Sequence, residues 1–416
     1  MKKFFLIYLI IIKSIYTQKL LIPMDQTQND HLKAYGIAFY SLNRNINVEW
    51  LLNYQGGSFL IDNQPSIQAE CKIRGVTYIE INNQILDIYS EIEENNMDIV
   101  LLEKAPKIAI YSPPNKQPWD DAVTLALTYA EISYETLWDE EVFNGSINKY
   151  DWLHLHHEDF TGQYGKFYRN YHNAPWYIEQ KLNFEKIAKK FGMPSVHEEK
   201  KAITRIIKNY ISNGGFLFAM CSATDSYDIA LSLENIDGVH SVFDGSPIDK
   251  NIKNKIDYSK TLAFTDFSVY TDPMIYEFSD IDYPPSHNPI TKGAEADYFS
   301  LFEFSAKYDP VPTMLTQNHV PIIKGFMGQT TGFNKNKIKN HIIIMGEDPA
   351  SDQVKYLHGN FGKGTYTFYG GHDPEDYQHF VGDPPTDLSL HRNSPGYRLI
   401  LNNVLFPAAR KKDKKT

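Results

Sequence analysis

Two stretches of this chain carry the residue types of nucleophilic catalysis. The first is Gly214-Gly215-Phe216-Leu217-Phe218-Ala219-Met220-Cys221-Ser222-Ala223-Thr224-Asp225-Ser226. A short apolar run announced by a Gly pair suits a strand covered on both faces, and Ser226 is of the type that caps the helically spaced run Tyr227 to Leu233. Cys221 then falls where strand hands over to helix, with Ala219 and Ala223 as small neighbours two residues away on each side. Such a turn strains the backbone of its central residue and lifts that side chain above the sheet. A helix N-terminus beneath the sulfur favours the thiolate. The plainer alternative is core filling, because free cysteine is among the most buried residue types. The second stretch is Gly370-Gly371-His372-Asp373-Pro374-Glu375-Asp376, which follows the alternating run Thr365 to Tyr369. A nucleophilic thiol needs an imidazole base held by a carboxylate, and His372 has Asp373 and Glu375 close by. The glycine before it, Gly371, removes a side chain that would crowd the site.

A third group of polar residues ends the strand-like run Tyr150 to His156, continuing as His157-Glu158-Asp159-Phe160-Thr161-Gly162. Functional groups in an open parallel sheet belong at the carboxyl ends of its strands. His156, His157, Glu158 and Asp159 are therefore expected to face a substrate at the same sheet edge as Cys221, His372 and Gly371. The donors His154, His156, His157, Glu158, Asp159, His372 and His379 could also hold a metal. No pair has the spacing of a known zinc motif, and alternation along a strand sets His154 and His156 on one face with His157 pointing away. The sequence thus leads to an expectation of no metal and no cofactor.

The elements that must position these residues alternate between strand and helix. Residues 18–104 read as a small α/β module, and 105–408 as a larger α/β domain built on a parallel sheet with helices on both faces. A β-rich insertion is expected at about 239–341, where aromatics such as Phe264, Tyr276 and Phe299 pack strands or line a cleft edge. Tyr283 to Pro289 has the composition of a surface loop, and Gly325 to Gly332 that of a loop near a ligand. Residues 409–416 form a basic tail. The other cysteine, Cys71, lies in a helix-like stretch of the small module, so both thiols are expected to be free.

The order of strand, helix, strand, loop, strand, Cys turn and late His-Asp-Pro-Glu strand end resembles the class I glutamine amidotransferase-like fold, flavodoxin-like in its layering. The resemblance covers roughly Pro106 to Ala408. It implies Cys221 as nucleophile, His372 as base and Glu375 as orienting carboxylate. The step from His372 to Glu375 is one residue longer than usual in that family, which leaves Asp373 as an alternative. Ala219 and Ala223 stand where the family commonly has glycine, and Thr161-Gly162 is the one candidate for its oxyanion loop. The whole chain is also similar to exported Bacteroidota proteins that carry the name asparagine synthetase B. Ser222-Ala223-Thr224-Asp225-Ser226 echoes the pyrophosphate loop of such synthetases but is one residue shorter and lacks the glycines that let backbone N–H groups approach an anion. Synthesis of asparagine therefore ranks below hydrolysis.

Across 416 residues, a formal net charge of −10 argues against a general nucleic-acid or membrane-surface binder. Lys2-Lys3 followed by the apolar run Phe4 to Ile12 reads as a signal peptide over residues 1–17, too short for a membrane span, with export to the periplasm or beyond. Two classes of function follow. One is an exported thiol hydrolase acting on an amide or peptide-like bond of a small molecule, peptide or glycan. The other is a catalytically silent binding protein that uses the same cleft for a glycan, peptide or protein partner.

Overall fold

A computed structural model describes residues 18–114, 120–283, 297–325, 328–377 and 380–409. The readings placed on residues 1–17, on 284–289, on Phe326 and Met327, on His379 and on the 410–416 part of the tail lie outside them.

The first unit runs β1 (Lys19–Ile22), α1 (His31–Asn43), β2 (Val48–Leu52), β3 (Ser58–Asp62), α2 (Pro65–Arg74), β4 (Ile79–Ile81), α3 (Ile85–Glu94), β5 (Asp98–Leu102). Local chemistry sets its helix ends. Asp30 caps α1 by accepting from the Lys33 amide. Pro65 opens α2, and Gly75 at φ 72° closes it. The strands form a five-stranded sheet in the order β4-β1-β3-β2-β5 with every pair antiparallel. Alternation divides its side chains: Leu20 and Ile22 join the core with α1 and α2, while Leu21 packs with Ile85 and Ile88 of α3.

The chain continues through β6 (Ile108–Tyr111), α4 (Ala122–Tyr129), β7 (Glu135–Leu137), α5 (Asp139–Phe143), β8 (Trp152–Leu155), α6 (Tyr168–Tyr171), α7 (Pro175–Lys190), α8 (Val196–Ser212), β9 (Phe216–Met220) and α9 (Ser222–Ser232). Then come α10 (Ser241–Asp244), β10 (Tyr298–Leu301), α11 (Pro310–Leu315), β11 (Ile322–Lys324), β12 (Phe333–Asn334), β13 (Ile343–Glu347), β14 (Gln353–Phe361), β15 (Gly364–Tyr369) and α12 (Pro395–Leu405). They build a mixed sheet in the order β11-β10-β13-β14-β15-β9-β8-β6-β7, with β12 on β14. The half from β15 to β7 is parallel, and the half from β14 to β11 is antiparallel. Helices cover both faces of the parallel half. Ile110, Phe218 and Met220 pack in one cluster with residues of α4 and α12, whereas Leu153, Leu217 and Ala219 pack in another with residues of α8 and α9. All five residues of β9 are buried, and each of Phe216, Leu217 and Phe218 contributes roughly 2 kcal/mol through that burial.

The structure corrects two expectations. Ser226 does not cap the helix after β9; α9 starts four residues earlier, with Cys221 at its N-cap, and the Ser226 hydroxyl donates to the Glu158 carbonyl instead. The region 239–341 is not β-rich: among its described residues the strands are β10, β11 and the two-residue β12, and isolated bridges such as Val269–Ser279 hold much of the rest. Its aromatics Phe264, Phe267, Phe278 and Phe299 are buried packing. The two units share one hydrophobic cluster, which includes both Cys71 and Cys221, and each has a further cluster of its own. Among the described residues no helix is long and apolar enough to cross a membrane.

Candidate functional site

The parallel half of the sheet brings three strand ends together. β9 lies between β8 and β15, with Leu155 level with Ala219 and Tyr369 level with Met220. Cys221, the His156-His157 pair and the Gly370-Gly371-His372 run therefore leave the sheet at one edge. Cys221 has φ 50° and ψ −139°, a region that non-glycine residues adopt at a cost of about 1–3 kcal/mol. The turn is pinned by the Ala223 amide donating to the His156 carbonyl and by the Phe160 amide donating to the Ser226 hydroxyl.

The backbone N–H groups of Thr330, Gln329 and Ser222 lie near the Cys221 sulfur and favour its charged form. Thr330 also ties this loop to the strand bearing His372, because its carbonyl accepts from the Gly371 amide at 2.8 Å. Gly328 fits flat against that segment: a Cβ there would lie 3.0 Å from the His372 amide nitrogen. The Thr330 hydroxyl donates to Asp225 Oδ1 at 2.8 Å, and the Thr331 amide donates to Asp282 Oδ1 at 3.2 Å. Burial is the largest influence on Cys221 and pushes its thiol up to about 11, overriding the three N–H donors. Desolvation thus opposes the dipole-stabilised thiolate expected from the turn.

Beside the thiol turn stand three clustered imidazoles. The ring of His156 lies 4.2 Å from that of His372 and 4.9 Å from that of His157, and His157 stacks on His372 at 5.6 Å. The loop after β6 supplies a carboxylate: Asp121 Oδ2 lies 3.3 Å from His154 Nε2 and 3.5 Å from His156 Nδ1, while Asp121 Oδ1 caps α4 at the Thr124 amide. Burial opposes charge on Asp121, but the two facing rings outweigh it and hold its carboxyl well below the usual range. Burial likewise opposes a charged His156, and Asp121 outweighs it, so the His156 pKa is raised.

The remaining expected site residues serve the loops more than the cleft. Glu158 accepts from the His156 amide at 2.9 Å, and burial together with Asp121 pushes it up to about 8. Asp159 organises its own loop, accepting from the amides of Thr161, Gln163 and Gly165. Thr161-Gly162 is not an oxyanion loop. Gly162, at φ 80°, packs so tightly on the start of α8 that a Cβ would lie 2.7 Å from the His197 backbone, and the donors at the sulfur come from residues 329 and 330. The two acids expected to orient His372 each have other partners. Glu375 Oε2 lies 3.1 Å from His391 Nδ1, and Asp373 accepts from the Glu375 amide and the Thr386 hydroxyl.

Sequence reasoning missed Asp121, and it named the Gly325 to Gly332 loop without connecting it to Cys221. The signal for Asp121 was its place as the cap residue of α4, at the end of the loop that leaves the carboxyl end of β6. For the loop, the run of small and amide residues suggested a ligand, but nothing indicated that its amides would converge on Cys221.

No protein-family model matches the chain, and no curated protein matches it. Among solved structures it is similar to the cytoplasmic protein STM3548 from Salmonella typhimurium, at 11% identity and a TM-score of 0.34, over 73% of this chain and 100% of that one. It is also similar to cytoplasmic protein STM1381 from Salmonella typhimurium LT2, at 12% identity and a TM-score of 0.33, over 73% and 100% of the two chains. A third likeness is to Gan42B, a GH42 β-galactosidase from G. stearothermophilus, at 10% identity and a TM-score of 0.27, over 65% of this chain and 28% of that one. At these TM-scores the likenesses assign neither a fold family nor an activity.

Proposed function

We propose that this protein is an exported thiol hydrolase of the class I glutamine amidotransferase-like fold, cleaving an amide or peptide-like bond of a small-molecule, peptide or glycan-linked substrate. The support is the strained turn at Cys221, a buried non-glycine residue at positive φ with three backbone N–H groups near its sulfur. Strain of this kind persists where the surroundings over-determine it, and it clusters at reaction centres. In the proposed reaction the Cys221 proton passes to the imidazole of His372 as the sulfur bonds to the carbonyl carbon. The N–H groups of Ser222, Gln329 and Thr330 face the oxygen that gains charge. The C–N bond then breaks as the leaving amine takes the proton from His372, leaving a thioester. Water attacks the thioester, giving a proton to His372, and the acid departs as the proton returns to sulfur.

A screen of amides and peptides with wild type and Cys221→Ala tests the proposal. The variant should lose about a thousandfold or more of any activity found. Turnover that survives in Cys221→Ala would end the thiol mechanism. The burial of Cys221 supports one second reading, a silent binding protein for a glycan, peptide or protein partner, which predicts ligand binding with no turnover in either protein. Export belongs to the same proposal. Cleavage before Gln18 removes no residue of β1, so the small sheet survives it intact. N-terminal sequencing of native protein should begin near Gln18; intact Met1 in a cytosolic fraction would overturn this.

A further inference from the structure

We infer that His156, His157 and His372 form a binding site for one divalent transition-metal ion of the zinc class, with Asp121 as the carboxylate behind His156. One ring nitrogen from each of the three histidines lies within 4.8 Å of the others. A tetrahedral ion with metal–nitrogen bonds of about 2.0–2.1 Å spaces its ligand nitrogens roughly 3.3 Å apart, so the three rings draw together as the ion binds. The ligands stand in the loops just past two parallel strand ends, those of β8 and β15. An all-imidazole set suits zinc, cobalt, nickel or copper and disfavours magnesium and calcium, which take oxygen ligands.

His156 is the most telling member. Its ring is fully buried; its Nδ1 faces Asp121, and its Nε2 has no hydrogen-bond partner among the described residues. A carboxylate on the far nitrogen of a ligating imidazole fixes the tautomer and ring plane and aims the other nitrogen at the ion. His154 belongs behind the site and not in it, because its Nδ1 donates to the Phe218 carbonyl and its Nε2 faces Asp121. Next to His157 lies a cavity of about 20 Å³, also bordered by Glu158, Asp159 and Lys200, with room for one water.

The ion and the proposed thiol chemistry exclude each other at His372, since a ring nitrogen that binds a metal cannot also take the Cys221 proton. This regulatory consequence rests on the thiol-hydrolase reading, and the binding itself does not. The test is titration of the chelator-treated full chain with Co²⁺, followed by its visible d–d absorption, with Zn²⁺ content measured after equilibration. One equivalent should bind with tetrahedral bands and without a thiolate charge-transfer band. His156→Ala, His157→Ala and His372→Ala should each abolish saturable binding, Asp121→Asn should weaken it 10- to 100-fold, and Cys221→Ala should leave it intact. If an alanine variant does not fold, the glutamine variant takes its place, and a Zn²⁺-dependent rise in wild-type Tm gives an independent readout. Absence of saturable binding to wild type, or binding unchanged in the three histidine variants, overturns the site. Loss of turnover on adding Zn²⁺ supports the exclusion. Metal binding without any Cys221-dependent turnover removes the hydrolase reading alone, and turnover without metal binding removes this one alone.

Discussion

At the scale of single residues, the energetics around Cys221 are set by desolvation. Cys221 and Cys71 are both buried, and burial pushes their thiols up to about 11 and about 12. A thiolate fraction at neutral pH is then on the order of one in ten thousand for Cys221. Iodoacetamide should accordingly label Cys221 slowly at pH 7, with a rate that climbs about tenfold per unit up to pH 10, as peptide mass mapping would show. Fast, pH-independent labelling below pH 8 would mean that the N–H donors outweigh burial. Asp225 offers a second handle. Burial pushes its carboxyl up to about 7, against hydrogen bonds from the Thr330 hydroxyl and the Ser226 amide, and the neighbouring Asp159 adds to the rise. Between the unfolded value near 4 and about 7 the folded state holds the extra proton, so stability falls as pH rises through that window. Asp225→Asn keeps the acceptor and removes the charge. It should match wild type at pH 4 and exceed it by roughly 4 kcal/mol above pH 7 in urea unfolding, and a constant difference across pH would refute the assignment.

At the scale of elements, α9 does more than present Cys221. Its Asp228 accepts from three successive amides, Leu262, Ala263 and Phe264, at 2.7–2.9 Å. One carboxylate thereby fastens the irregular segment after α10 to the helix that carries the thiol turn. Because regular strands are scarce there, this anchor replaces the ladder that would otherwise satisfy those amides. Asp228→Ala leaves the amides buried without that acceptor and should cost about 3 kcal/mol or more, read as a lowered urea midpoint. A change under 1 kcal/mol would show that water or backbone shifts satisfy them instead.

At the scale of the molecule, the antiparallel unit and the mixed sheet are joined through α12. Arg398, fully buried, donates to the Met24 carbonyl at 2.7 Å, to the Tyr35 hydroxyl at 3.1 Å and to the Gly56 carbonyl. Asn402 of the same helix accepts from the Tyr35 hydroxyl. Together with the shared hydrophobic cluster, these bonds couple the two units, so wild type should unfold in one transition seen alike by tryptophan fluorescence and circular dichroism. Arg398→Leu should lower stability by about 3 kcal/mol or more, since bonds to a charged donor are lost and buried carbonyls lose their partner. Two separate wild-type transitions would show that the units fold independently.

The sequence alone determined what depends on local order and chain direction. β9 and α12 occupy Phe216–Met220 and Pro395–Leu405, the bounds their apolar runs and flanking Gly and Pro imply. The gathering of Cys221, His156 and His372 at one edge was legible too, because parallel strands send their carboxyl ends the same way. Periodicity records which face of an element is apolar but not what will cover it, so the antiparallel half of the sheet and the shared core were settled only by packing. The same holds for Asp121 behind His156, and for the amides of residues 329 and 330 at a sulfur more than a hundred positions earlier. The state of Cys221 was decided last of all: its helix terminus is written in neighbouring residues, whereas the desolvation that overrides it is the sum of everything packed around the sulfur.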